Sequence, residues 1–237
     1  MAQPRIRRTA QLLVGLVLFG ASSAMLVLAG LGLDPWDVLH QGLSRRIGLG
    51  VGTWAIFVGL AVLLLWIPLR QRPGPGTLAN VLIVGGVIDL VLAVVPRPTA
   101  LALRIVVLLA AVVLTGVATG AYIGAGLGPG PRDGLMTGLA GRGHSIRVVR
   151  TGIELTVLAT GWALGGTVGV GTVLYALAIG PLAHHFIPRL AITLPSGDDP
   201  LQEHEIEPAI ELPRDLGQQR DALEAQPLVH PQRGDVL

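Results

Sequence analysis

Six apolar stretches of bilayer-crossing length fill the first 190 residues: Leu12–Leu33, Val51–Leu69, Leu78–Val95, Ile105–Leu127, about Val148–Leu164, and Thr172–Ile187. About 20 apolar residues cross a bilayer as one helix, so the length of the chain is read as a count of spans. Three stretches are less apolar than the rest. The third carries Asp89, the fifth begins with Arg150 and Glu154, and the sixth is short and holds His184 and His185. The whole chain is 51% hydrophobic and 14% charged, with a mean hydropathy of +0.65, a balance that belongs to a membrane. The expected fold is all-α, with about six transmembrane helices.

The net charge of +2 conceals two opposed regions. Residues 1–190 hold fourteen Arg against five acids, and residues 191–237 hold three Arg against ten. The first region therefore reads as a transmembrane domain and the second as an acidic, disordered cytoplasmic tail that cannot bury enough apolar surface to order itself. Arginines between apolar segments orient spans and touch anionic lipid, so the partner they imply is a bilayer and not nucleic acid. The start, with Arg5, Arg7 and Arg8 before an apolar run, resembles a signal peptide. The run continues to Leu33, too long for a cleavable segment, and an uncleaved first helix is expected. With the N-terminus inside, ten arginines lie in the cytoplasm and four outside, which predicts both termini in the cytoplasm of a bacterial inner-membrane protein.

A shift of 96 lays Asp34-Pro-Trp-Asp-Val-Leu-His-Gln-Gly-Leu43 onto Gly130-Pro-Arg-Asp-Gly-Leu-Met-Thr-Gly-Leu139, and a shift of 95 lays Gly74-Pro-Gly-Thr77 onto Gly169-Val-Gly-Thr172. The chain reads as a duplicated three-helix unit, about 10–96 and 104–190. Three crossings per unit make the second enter from the opposite face, an inverted repeat of the kind found in secondary transporters. Each Pro-x-Asp segment predicts a short helix, about Pro35–Arg45 and Pro131–Ala140, with Asp34 as N-cap of the first. Two readings stand side by side: interfacial helices with good caps, slightly favoured, or re-entrant half-helices whose positive ends, with Asp37 and Asp133, face a polar cavity.

Other groups follow from cost and spacing. Asp89 and His184 lie twelve residues past Thr77 and Thr172, equivalent places in the two halves, where a carboxylate and an imidazole would relay a proton or coordinate a cation. His184 also suits a plain helix-end role. Glu154 stands one turn after Arg150 and two after Arg147, which predicts an ion pair, with an anion site of Arg147, Arg150 and Arg132 as the other reading. Glycines at every fourth residue, Gly116 to Gly128 and Gly161 to Gly169, predict close helix packing. The loops before Thr77 and Thr172 read as tight turns with each Thr capping the next helix.

Absences narrow the chemistry. The chain has no Cys and no Lys, which excludes disulfides, thiolate nucleophiles, cysteine metal sites, a P-loop and a Schiff base. No HExxH and no Ser/His/Asp order stands out, so an enzyme is not expected and no cofactor or metal is implied.

The motifs Gly32-Leu-Asp-Pro-Trp-Asp-Val-Leu-His-Gln-Gly-Leu43, Gly126-Leu-Gly-Pro-Gly-Pro-Arg-Asp-Gly-Leu-Met-Thr-Gly-Leu139, Ser145-Ile-Arg-Val-Val-Arg150 with Glu154, and Gly165-Gly-Thr-Val-Gly-Val-Gly-Thr172 running to Pro181 resemble the YczE/YitT-like bacterial integral membrane proteins, and more closely their YczE branch. The resemblance covers about 1–190 and implies a multi-pass bacterial membrane protein without assigning an activity. The leading expectation is a small secondary transporter or permease-like protein, with Asp37, Asp89, Asp133, Arg147, Arg150, Glu154 and His184 as pathway candidates. The alternative is a non-transporting membrane scaffold or accessory protein that packs against partner helices or a second copy of itself.

Overall fold

A computed structural model describes residues 2–192. Its eight helices are α1 (Ala2–Ala29), α2 (Pro35–Ile47), α3 (Val51–Leu69), α4 (Pro75–Val94), α5 (Leu101–Gly124), α6 (Pro131–Ala140), α7 (Ile146–Ala163) and α8 (Val170–Leu190), and no strand occurs among the described residues. Five of them, α1, α3, α4, α5 and α8, are long and apolar enough to cross a membrane. The 18-residue α7 forms over the fifth apolar stretch but is not among them, because Arg147, Arg150 and Glu154 lower its hydropathy. The predicted tail lies outside the described residues. The chain remains packed slightly beyond the expected boundary at 190, since the Ile192 amide donates to the Gly124 carbonyl at 2.9 Å.

The apolar patterns of the first and fourth stretches continue past the ends of their helices. Gly30 and Gly126 adopt φ of +61° and +63°, the left-handed geometry that ends a helix, and each is followed by non-helical backbone. An arginine from the other long helix closes each end. Arg104, near the start of α5, donates to the carbonyls of Ala29 and Gly30 at 2.7 and 2.9 Å. Arg8, near the start of α1, donates to the Ala125 carbonyl at 2.7 Å and to that of Gly126. Each cation thus meets the negative end of a helix dipole. Because each start meets the other's end, α1 and α5 run antiparallel.

The packed pairs around this centre are α4 on α1 and α8 on α5, with α2 against α7 and α3 against α6. Small residues permit the closest approaches. Gly116 and Gly120 of α5 face Leu182 and Phe186 of α8, where an added Cβ would lie 2.7 and 2.8 Å from those residues. Gly124 continues the stripe to Leu190, as its four-residue spacing predicts. The second stripe is only partly realised: Gly161 packs against the α2 backbone, but α7 ends at Ala163, so Gly165 and Gly169 belong to the following loop. The paired turns form as expected, with the Thr77 and Thr172 hydroxyls accepting the Gly74 and Gly169 amides at 3.2 and 3.3 Å.

One pairing has no counterpart. α3 and α4 pack closely, with Gly52 against Gly85, whereas α7 and α8 stand apart. At the positions displaced by 95, Gly52 is replaced by Arg147, and Gly180, the counterpart of Gly85, has nothing within 4 Å of an added Cβ.

Candidate functional site

The segments that follow α1 and α5 leave opposite ends of that antiparallel pair and fold back between the helices. Their paths are held by two matching bonds: the Gly171 amide donates to the Leu31 carbonyl at 2.8 Å, and the Gly76 amide to the Leu127 carbonyl at 2.9 Å. Arg104 and Ala125 mark the two ends of α5, and their separation of 21 positions rises about 30 Å. Asp34 lies four residues beyond one end and Arg132 six beyond the other, reaches of roughly 14 and 20 Å in extended chain. Their side chains nevertheless approach to 3.6 Å. Both segments therefore descend to a common level about half-way along the bundle, where α2 and α6 begin.

An interfacial helix would keep one face in solvent, but the first two turns of α2 bury Trp36, Asp37, Val38, His40 and Gln41. The start of α2 is thus packed inside the protein. Asp34, 2% exposed, caps α2 as predicted, accepting the Trp36 and Asp37 amides at 2.9 and 3.1 Å. Asp37 is fully buried, with its Oδ1 3.1 Å from His40 Nδ1 and 4.0 Å from Arg132 Nη2. Among the described residues its Oδ2 has no hydrogen-bond partner, and neither has the Trp36 indole N–H. The Arg132 guanidinium lies over the Trp36 ring, 5.0 Å from its centroid. With His40 neutral, two carboxylates and one guanidinium leave the cluster one negative charge in excess.

The second short helix is tied to the same place. The Trp66 indole of α3 donates to the Pro131 carbonyl at 3.1 Å and rests on Gly134, where a Cβ would collide with the ring. Tyr122 of α5 donates to Asp133 at 2.8 Å, so Asp133 faces the interior as Asp37 does. Beside these groups a cavity of about 30 Å³ lies between α2, α3, α4 and α6, with His40, Asn80 and Arg132 supplying its polar wall. That volume suits about one or two waters, and an organic solute needs far more.

The remaining sequence candidates fall elsewhere. Asp89 does not join the cluster: its carboxylate accepts the Gly52 and Thr53 amides at 2.7 and 2.8 Å and the Thr53 hydroxyl at 2.7 Å, capping α3 and clamping it to α4. His184 is exposed on α8 and does not pair with Asp89. Glu154 pairs with Arg150 at 2.9 Å as expected, half-exposed, and Arg147 is exposed. The three-arginine anion site does not form, because Arg132 faces Asp34 and Asp37. Asp34, read only as an N-cap, and His40 and Arg132 are the residues that the sequence left out of the central group. His40 was one helical turn after Asp37, and Arg132 occupied the position equivalent to Trp36.

Residues 6–188 match the model of a family described as a family of unknown function (DUF6198). The chain belongs to this family. It is 40% identical over 181 residues to an uncharacterized protein of Haemophilus influenzae, covering 76% of this chain and 83% of that one. It is also 36% identical over 196 residues to the uncharacterized membrane protein YczE of Bacillus subtilis, covering 80% and 89%. The uncharacterized protein YyaS of Bacillus subtilis is 30% identical over 182 residues, covering 74% and 90%. No solved structure matches. The YczE-like resemblance read from the motifs is thereby established, and with the apolar helices it makes this a membrane protein. The DUF6198 match contains every residue of the central cluster and stops short of the tail.

Proposed function

We propose that this protein is a small secondary transporter of the bacterial inner membrane, built as an inverted repeat with both termini in the cytoplasm and without enzymatic activity. In this reading α1, α3 and α4 cross in the first half and α5, α7 and α8 in the second, while α2 and α6 are re-entrant half-helices that begin near the midplane. Broken segments with helix N-termini at mid-depth are how transporters line a polar site inside hydrocarbon. Support comes from the arginine clamps, from the matched Gly76 and Gly171 bonds, and from charged groups at the level where the halves meet.

The observation that carries the reading is the unequal packing of equivalent pairs: α3 with α4 closed, α7 with α8 apart. Two halves of common design in different conformations are what alternating access requires, each half taking the other's arrangement in the opposite state. The cavity is too small for a solute in this state, so loading requires that exchange.

Absence of cysteine makes the test direct. A Cβ added at Gly59 lies 3.6 Å from that of Val81, within the range of a disulfide. Gly59→Cys with Val81→Cys should cross-link α3 to α4. The equivalent pair, Glu154→Cys with Ala176→Cys, should also cross-link in membranes, in a population exclusive of the first. Failure of the second pair ever to cross-link would contradict alternating access. The scaffold reading draws on the open face at Gly152 and Gly180, where a partner helix would seat and hold α7 and α8 permanently apart.

A further inference from the structure

With both carboxylates ionised and His40 neutral, the central cluster would hold one negative charge in excess in a low dielectric. Asp34 and Asp37 both point an Oδ1 at Arg132, at 3.6 and 4.0 Å, too far for good hydrogen bonds. Asp34 spends its Oδ1 on two backbone amides, and Asp37 Oδ1 meets His40. Asp37 Oδ2 is buried with no donor facing it. A buried carboxylate oxygen without a donor is costly, and two carboxylates sharing one guanidinium do not both keep full charge in a low dielectric.

We infer that Asp34 and Asp37 together bind one exchangeable proton, and that this proton is the coupling ion of the transport reading on which the inference rests. The proton sits on the carboxyl pair, with Asp37 Oδ2 as its open position, and makes the cluster neutral with Arg132. A metal cation suits the place poorly. The side chains that meet the pair are a guanidinium and an imidazole, whereas alkali and alkaline-earth ions need several oxygen ligands. Among the described residues no three His, Asp or Glu side chains converge as a metal site.

Titratable groups stand on most of the elements packed around the pair. Arg132 and Asp133 come from α6, His40 from α2 itself, Glu154 and Arg150 from α7, Tyr122 from α5 and Tyr175 from α8, while α3 has no titratable side chain. Among the described residues only Arg132 is a fixed cation within 4 Å of either carboxylate. The neighbouring cavity, with His40 in its wall, gives room for water to carry the proton in or out.

Infrared spectroscopy of the purified full chain in detergent reads a protonated carboxyl directly, by its carbonyl stretch and that band's shift in D2O. The wild type should show such a band at neutral pH, and the band should disappear as pH is raised. Asp34→Asn and Asp37→Asn should each abolish it, because either carboxylate alone is neutralised by Arg132. Glu154→Gln should leave it in place. No band in the wild type, a band that survives both single substitutions, or a band displaced by adding NaCl at constant pH would overturn the inference. If a variant fails to fold, the wild-type titration decides. The result is separable from the cross-linking test: a band without helix exchange would be a proton site in a static protein, and exchange without a band would be transport without this proton.

Discussion

The sequence makes Asp89 and His184 equals, and the structure predicts that their loss has very different consequences. Asp89→Ala removes three hydrogen bonds at the start of α3, two of them to the Gly52 and Thr53 amides, which have no intrahelical partners. Loss of a helix cap costs about 1 kcal/mol. Leaving donors unsatisfied at a part-buried site adds about 1–3 kcal/mol, partly offset because the carboxylate no longer has to be desolvated. The total is about 3 kcal/mol, which in a chain of this size lowers the melting temperature by about 6–12 °C. Asp89→Asn, which keeps one acceptor oxygen, should fall between. His184→Ala, at an exposed position with no side-chain bond, should stay within about 0.5 kcal/mol of wild type. The assay is thermal unfolding in detergent, followed by size-exclusion recovery or intrinsic tryptophan fluorescence. Equal melting of Asp89→Ala and wild type, or a larger loss in His184→Ala, would refute the reasoning that Asp89 clamps α3 to α4.

Three further outcomes follow from packing and exposure. Gly120→Val should lower stability by about 2–3 kcal/mol, because even one added carbon would meet Phe186 at 2.8 Å, while Gly86→Ala, with nothing within 4 Å, should gain up to about 1 kcal/mol from helix propensity. Both are measured by the same melting assay. Glu154→Gln should change stability by less than about 1 kcal/mol, since Arg150 in that pair is 55% exposed, and a fall as large as that of Asp89→Ala would mean that the pair is buried against a partner.

Much of this was legible because the physics was local. Apolar length located the helices, Pro at the first helical position located the starts of α2 and α6, and four-residue glycine spacing located the α5–α8 contact. The third, fifth and sixth stretches were the weaker signals, and of these only the fifth falls short of a span in the structure, because α7 carries three charged residues in 18. What spacing could not supply was contact across the repeat. Positions 132 and 36 coincide under the shift of 96, and in the structure the Arg132 guanidinium lies over the Trp36 ring itself. A shift along the sequence aligns such residues but says nothing of their meeting. Asp89 misled for a related reason. Its cost in hydrocarbon was real, but the nearby free amides of α3, which satisfy it, come from a segment 36 residues earlier. His184 lost its likeness to Asp89 because Arg147 stands where Gly52 allows α3 and α4 to close.

The central claim is that the second half is inverted relative to the first, and the loops after α2 and α6 test it most directly. Single cysteines at Arg46 and His144, both exposed and without side-chain bonds, can be introduced into a chain that has no others. Labelling with a membrane-impermeant maleimide in intact cells and after permeabilisation reports the side of each. The account predicts that Arg46→Cys is labelled from outside and His144→Cys only after permeabilisation. Labelling of both from the same side would contradict the inverted arrangement, and with it the midplane meeting of α2 and α6.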